Sequence, residues 1–138
     1  MPRKLILLIA FLSAGSLLAA PATLDIYWID AEGGGSTLLV APGGESLLID
    51  TANRVADNRD AKRIMDAARV AGIKKIDILV TTHYHGDHIG AMPALATMIP
   101  IGLYMDHGPT VETEPPPFLA AYKEYEQLSA GKRKILKP

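Results

Sequence analysis

One segment constrains the fold more than any other: an apolar run that leads directly into a cluster of histidines. Residues 76–81 are almost continuously apolar, which is typical of a strand buried on both faces of a sheet. The cluster that follows contains His83, His85, Asp87 and His88. Open α/β sheets bind ligands at the carboxyl ends of their strands. The arrangement therefore predicts an α/β fold with a binding site in this loop.

The remaining sequence alternates between strand-like and helix-like segments. Runs rich in apolar and β-forming residues predict strands over residues 24–30, 36–41, 45–49 and 101–105. The second and third of these are joined by a Pro-Gly-Gly turn at 42–44, which predicts an antiparallel hairpin. Helices are predicted over residues 57–71, 93–98 and 118–129. This alternation is typical of an α/β domain.

Smaller features predict how these elements begin and end. Asp57 is expected to cap the first helix and Gly72 to end it. The three glycines at 33–35 either form a hairpin turn or cradle an anion. After Gly131 the sequence predicts a turn at which a strand would begin, but no strand is expected to form there. Its basic residues, Lys132, Arg133 and Lys134, either lie in solvent or contact phosphate.

The first 22 residues have the pattern of a secretory signal peptide. Arg3 and Lys4 precede an apolar run, and small residues end it, with Ala20 and Ala22 suited to a cut after Ala22. The alternative is an anchor that stays in the membrane, since the uncharged stretch has nearly the length of a span. Cleavage predicts an exported protein, periplasmic or secreted, with one domain over residues 23–138 and no stable membrane span.

Composition excludes several classes of function. The chain has no cysteine, which rules out disulfide scaffolds, cysteine-bound zinc and thiol nucleophiles. Its 14 basic and 15 acidic residues nearly balance, which argues against a nucleic-acid binder that works by bulk positive charge. No specific nucleic-acid-binding motif is present. Because cysteine is absent, any metal must be held by histidines and carboxylates.

The histidine cluster has the composition of such a metal site. His83 and His85 are two residues apart, a spacing that puts both imidazoles on one side of an extended backbone. Gly86 then permits a sharp turn, after which Asp87 and His88 supply a second pair of ligands. Imidazole with a carboxylate suits Zn²⁺, and Fe or Mn²⁺ remain open. A cation with a free position lowers the pKa of bound water to about 7.

The residues around this cluster carry a family resemblance. Residues 81–90, TTHYHGDHIG, resemble the HxHxDH signature of the metallo-β-lactamase superfamily. The upstream segment 47–51, a strand that ends in Asp50, is similar to the first motif of that superfamily. The opening, residues 29–40, resembles the branch related to ComEC-type competence hydrolases. The resemblance implies a four-layer αβ/βα sandwich with metals at one edge, of which this chain would form the N-terminal half.

The resemblance also implies roles for individual residues. His83 and His85 would bind a first metal, and Asp87 and His88 a second, with two Zn²⁺ in a complete site. Asp50 would orient the loop from outside the ligand set. Asp87 would also be the catalytic residue that accepts a proton from the bridging water.

The chain departs from the family in its length. The superfamily fold has two similar halves, and the second half supplies further metal ligands. Only 31 residues follow His107, and none of them is histidine. The sequence therefore predicts a chain truncated to the first half of the fold. For His107 two roles stay open: contact with a metal or substrate, or a structural or solvent-exposed position.

Two functional hypotheses follow from the sequence. The first is an exported metal-dependent hydrolase in which metal-activated water attacks an ester or phosphodiester bond of a small-molecule or phosphodiester substrate, with β-lactam hydrolysis as an alternative. The second is a catalytically incomplete fragment that binds metal weakly or not at all. Such a half-sandwich would expose a sheet face and could associate with itself.

Overall fold

The computed structural model describes residues 23–113 and 116–137, so the predicted signal peptide at 1–22 lies outside the described residues. Within this part, no helix is long and apolar enough to cross a membrane. The strands are β1 (Asp25–Trp28), β2 (Thr37–Val40), β3 (Ser46–Ile49), β4 (Ile76–Val80), β5 (Ile101–Asp106) and β6 (Arg133–Ile135). The helices are α1 (Arg59–Val70), α2 (Gly86–Ile89), α3 (Met92–Met98) and α4 (Pro116–Ser129).

The six strands form one mixed sheet in chain order, from β1 to β6. The first three strands are antiparallel, and the predicted hairpin between β2 and β3 is confirmed. The strands from β3 to β6 are parallel to one another. Parallel strands bring their carboxyl ends to the same edge of a sheet. The residues that follow β3, β4 and β5 therefore meet at one edge, and the predicted α/β class is confirmed.

Helix α1 ends as predicted but begins differently. Gly72 adopts φ +72°, and the amide of Ile73 donates to the carbonyl of Ala68, as in a Schellman motif. The prediction that Asp57 caps the helix is wrong. Asp57 lies in a 3-10 turn with φ 57°, and Asn58 takes the N-cap position without a side-chain hydrogen bond. The left-handed backbone at both residues explains why this capping pattern fails.

Two elements differ from the sequence-based expectation. Residues 86–89, expected to lie in a loop, form the one-turn helix α2, which begins at Gly86. Strand β6 does develop, and it pairs with β5 through three residues. Arg133 is the reason: its side chain is only 18% exposed and pairs with the buried carboxylate of Asp106. Two of the three basic residues at 132–134 thus lie in a strand, and its arginine points inward, where a solvated turn was expected.

The helices cover one face of the sheet. The core on that face combines strand residues such as Leu38, Leu48 and Leu79 with residues from all four helices. The alternate strand residues, which point to the other face, are partly exposed; they include Leu39, Leu47, Ile49, Ile78, Val80, Leu103 and Met105. The prediction that β4 is buried on both faces is therefore wrong for Ile78 and Val80, which lie on the face that the described helices leave open.

This difference between the two faces can be tested with neighbouring leucines. Leu48 is 0% exposed, so Leu48→Ala should lower the free energy of unfolding by about 2–5 kcal/mol. Leu47 lies on the opposite face and is partly exposed, so Leu47→Ala should cost only about 1 kcal/mol. Urea denaturation measures both values. Equal losses would show that the second face is covered in solution.

Candidate metal centre

Three of the predicted ligands form a compact group beyond strand β4. One ligand atom from each of His83, His85 and Asp87 lies within 4.8 Å of the other two. The two histidines stand between β4 and α2, and Asp87 lies in the first turn of α2. The group is at the carboxyl edge of the parallel strands. Its three side chains are partly or fully exposed, so the ligand atoms are accessible to an ion from solution.

His88 lies directly beside this group. Its ring centroid is 3.7 Å from that of His83. Its Nδ1 is 2.7 Å from Oδ2 of Asp50, and its Nε2 is 3.6 Å from Oδ2 of Asp87. A carboxylate at Nδ1 favours the tautomer whose Nε2 is free to bind a metal. All four predicted ligands thus lie together, with Nε2 of His88 facing the side of Asp87.

Asp50 connects the end of β3 to the loop after β4. Its side chain is 5% exposed. Oδ1 accepts a hydrogen bond from the amide of Thr82 at 2.8 Å, and Oδ2 accepts one from the Thr82 hydroxyl at 2.6 Å. The backbone amide of Asp50 donates to Val80. One buried carboxylate therefore holds both the start of the loop and the ring of His88.

The segment after Asp50 holds helix α2 through its backbone. The amide and the hydroxyl of Thr51 both donate to the carbonyl of His88, at 2.7 and 3.0 Å. Asp50 and Ala52 have φ values of 56° and 60°. This left-handed conformation is tolerated by aspartate but is strained for alanine. Such strain persists only where the surrounding contacts determine the conformation, as they do beside this loop.

Glycines allow the close approach of the segments around α2. The amide of Gly35 donates to the carbonyl of Asp87 at 3.1 Å. A Cβ on Gly90 would lie within 2.9 Å of backbone atoms of Gly86, Arg54 and Asn53. The glycines at 33–35 connect β1 to β2 and pack against α2, which corresponds to the predicted hairpin turn.

Glu112 is a neighbour of the site that no sequence motif indicates. Its Oε2 is 3.1 Å from Nε2 of His85, and both side chains are nearly half exposed. Histidines that bind metals usually donate their second ring N–H to a carboxylate or carbonyl. Glu112 is in position to hold the ring of His85 through Nε2, which leaves Nδ1 of His85 directed away from Glu112. A lone glutamate 27 residues downstream carries no local signal of this contact.

The electrostatics of the cluster favour neutral imidazole at His83. Burial lowers the pKa of His83 below its ordinary value, and repulsion from His88 and His85 adds to the effect. Neutral imidazole is the form that binds a metal. His83 is therefore held in the state that a cation requires.

The structure does not bring His107 into the ligand group. Its side chain is exposed, and its ring centroid lies 5.0 Å from that of Tyr84. The three-residue group of His83, His85 and Asp87 does not include it. Its position corresponds to the solvent-exposed alternative.

Fold and site together define an α/β protein that gathers imidazoles and carboxylates where parallel strands end. The family model of the Metallo-beta-lactamase superfamily matches residues 30–132 of this chain. The chain belongs to that superfamily.

Individual relatives agree with this assignment. The chain is 32% identical over 81 residues to a UPF0173 metal-dependent hydrolase of Cupriavidus metallidurans, covering 56% of this chain and 24% of the relative. It is 32% identical over 85 residues to an atrochrysone carboxyl ACP thioesterase of Cryptosporiopsis sp., covering 59% and 25%. The chain thus spans about a quarter of the length of these curated relatives.

A solved structure shares the fold. The metallo-beta-lactamase fold protein YhfI of Bacillus subtilis superposes with a TM-score of 0.54 at 16% identity, over 84% of this chain and 47% of that protein. The six-stranded sheet with helices on one face is therefore part of the metallo-beta-lactamase fold.

Gly90 and Gly86 form a matched pair for testing the packing of α2. Gly90→Ala should destabilise the fold by about 3 kcal/mol, because the new Cβ would collide with backbone atoms that cannot rotate away. Gly86→Ala meets no atom within 4 Å and should leave stability unchanged or slightly higher. Thermal or urea unfolding compares them. Equal stability of the two variants would contradict the described packing.

The role of Asp50 can be tested through metal affinity. Asparagine fits the left-handed backbone, but it replaces the carboxylate that holds Nδ1 of His88 with a neutral amide. Asp50→Asn should therefore weaken Zn²⁺ binding by about 10- to 100-fold in calorimetric titrations. Asp66→Asn, on the exposed side of α1, is the control and should bind as the unchanged chain does. An affinity unaffected by Asp50→Asn would remove this carboxylate from the metal site.

Proposed function

We propose that this chain carries the metal-binding centre of a metal-dependent hydrolase. The observation that supports the proposal best is the grouping of His83, His85 and Asp87, with ligand atoms within 4.8 Å of one another. Membership of the metallo-beta-lactamase superfamily supports it independently, as does the name of the metal-dependent hydrolase from Cupriavidus metallidurans.

The donor set fits a divalent cation. Two imidazoles and a carboxylate suit Zn²⁺, although Fe and Mn²⁺ use the same types of ligand. In our proposal His83 and His85 would hold one cation, and Asp87 and His88 would hold a second. A bound cation would lower the pKa of water and stabilise negative charge that develops on the substrate.

The residues of the chain supply orientation and proton transfer. The Asp87 side chain is 42% exposed, so one of its carboxylate oxygens can accept a proton from a water molecule at the group. Asp50 keeps His88 in place through Nδ1, and Glu112 contacts Nε2 of His85. Each of these contacts fixes a ring before substrate arrives, which is how a site avoids reorganisation during reaction.

We propose an ester-type bond as the target, with phosphodiesters as the favoured class. The resemblance of residues 29–40 to the ComEC-related branch supports phosphodiesters. The relative named as an ACP thioesterase supports ester-type chemistry more broadly. Hydrolysis of β-lactams is the alternative, since the predicted export would place the protein where these compounds act. One fold supports many chemistries, so assays with different substrates are needed to identify the target bond.

A second candidate function is a metal-binding unit without turnover of its own. In the described residues, His83, His85 and Asp87 are the one group of three or more clustered metal ligands. One sheet face, including Leu39, Leu47 and Ile78, is also partly exposed. A single group of three ligands suits a unit that binds metal weakly by itself, and the partly exposed face suits association with another chain. Self-association through the exposed face stays a prediction.

The two functions are separated by measuring metal content and turnover together. The hydrolase proposal expects about two Zn²⁺ per chain and hydrolysis of bis-p-nitrophenyl phosphate or a p-nitrophenyl ester, with nitrocefin as the β-lactam probe. His85→Ala should lower both bound metal and turnover, the latter by about 100-fold or more. His107→Ala is the matched control and should change neither.

The outcomes are distinct. Bound metal without hydrolysis of any probe would favour the second candidate. Turnover unchanged by His85→Ala would contradict the proposed site altogether.

A further inference from the structure

A buried ion pair lies behind the metal loop, on strands β5 and β6. The side chain of Asp106 is 0% exposed. Its Oδ2 accepts hydrogen bonds from Nε of Arg133 at 2.6 Å and from the hydroxyl of Tyr125 at 2.8 Å. Its Oδ1 accepts from Nη2 of Arg133 at 3.1 Å and from the amide of Gly108 at 2.7 Å. The carboxylate is fully hydrogen-bonded, as a buried charge must be.

The same arginine reaches the metal loop through Tyr84. Nη2 of Arg133 donates to the hydroxyl of Tyr84 at 3.0 Å, across 49 residues of sequence. That hydroxyl in turn donates to the carbonyl of Gly108. Tyr84 is 2% exposed, and its ring centroid lies 4.6 Å from Tyr122 and 5.2 Å from Tyr125. Both ends of the Tyr84 side chain are therefore fixed, the ring by packing and the hydroxyl by hydrogen bonds.

Tyr84 stands between the two histidines that begin the ligand group. In extended backbone, successive side chains point to opposite sides, and His85 is extended with φ −68° and ψ 154°. Because the Tyr84 side chain points into the core, the side chains of His83 and His85 point to the opposite side. There their ligand atoms lie close to that of Asp87. Rotation of Tyr84 out of its pocket would turn both imidazoles away from the site.

We propose that Arg133 and Tyr84 are positioning residues for the metal centre: the arginine on β6 holds the Tyr84 hydroxyl, and Tyr84 sets the direction of His83 and His85. This inference rests on the proposed function, because it assumes that these histidines bind a metal. Neither residue touches the metal or substrate itself.

The protonation states of the network support this arrangement. Burial opposes the charge of Asp106, but the hydrogen bonds from Arg133, Gly108 and Tyr125 outweigh it, so its pKa lies below the ordinary value. Burial and the nearby charge of Asp106 raise the pKa of Tyr84. The phenol keeps its proton and remains a donor to Gly108.

The experiment compares three single variants in the metal-free and the metal-bound chain. Tyr84→Phe keeps the ring and removes the hydroxyl. Arg133→Lys keeps the charge but cannot make the planar fork that bonds Asp106 and Tyr84 together. Tyr104→Phe is the matched control, because Tyr104 is also buried and lies against Tyr125, with ring centroids 6.2 Å apart.

Two quantities are measured for each chain that is folded by circular dichroism. The first is Zn²⁺ affinity by calorimetry, and the second is the visible absorption spectrum of bound Co²⁺, which reports ligand geometry. We expect Tyr84→Phe and Arg133→Lys to weaken Zn²⁺ binding by about tenfold or more and to change the Co²⁺ spectrum. Tyr104→Phe should leave both readouts as in the unchanged chain.

The possible results separate this inference from the proposed function. If the unchanged chain binds metal and both network variants bind it equally well with the same spectrum, the positioning role is wrong and the proposed function stands. If Tyr84→Phe does not fold, Arg133→Lys decides by the same criterion. If the unchanged chain binds neither Zn²⁺ nor Co²⁺, both proposals fall.

Discussion

The candidate site depends above all on one buried carboxylate at the end of strand β3. Asp50 accepts hydrogen bonds from the amide and hydroxyl of Thr82 and contacts Nδ1 of His88. Strands β3 and β4 are neighbours in the parallel part of the sheet, so the residues that follow them are brought within reach of each other by topology alone. The hydrogen bonds of the carboxylate then fix the position of the loop at Thr82 and of α2 at His88.

The site is supported from two sides. Asp50 and Thr51 hold the end of the ligand segment at His88. Tyr84, anchored near Asp106 and Arg133, holds its beginning. A flexible loop would lose conformational entropy when it bound a cation, whereas a loop already held at both ends has lost most of it on folding. This arrangement lets exposed imidazoles keep a defined geometry.

The sequence predicted those parts of the structure that are encoded locally. The apolar run of β4, the hairpin between β2 and β3 and the ligand spacing after residue 82 all depend on neighbouring residues. Strand β6 could not be predicted in this way, because an arginine among basic residues has the pattern of a solvent-exposed segment. Only the fold brings Arg133 beside the buried Asp106. Glu112 was missed for the same reason, since its contact with His85 spans 27 residues. The signal peptide and the truncation remain predictions.

Strand β6 has a consequence for the order of events during synthesis. Arg133 is translated 45 residues after His88, so the emerging chain presents its imidazoles well before the arginine that steadies Tyr84 exists. A growing polypeptide that has not yet reached β6 would therefore carry all four proposed ligands but lack the contact of Arg133 with Tyr84. On the proposal made above, the geometry of the metal centre thus depends on the pairing of β6 with β5, the last strand pair along the described chain.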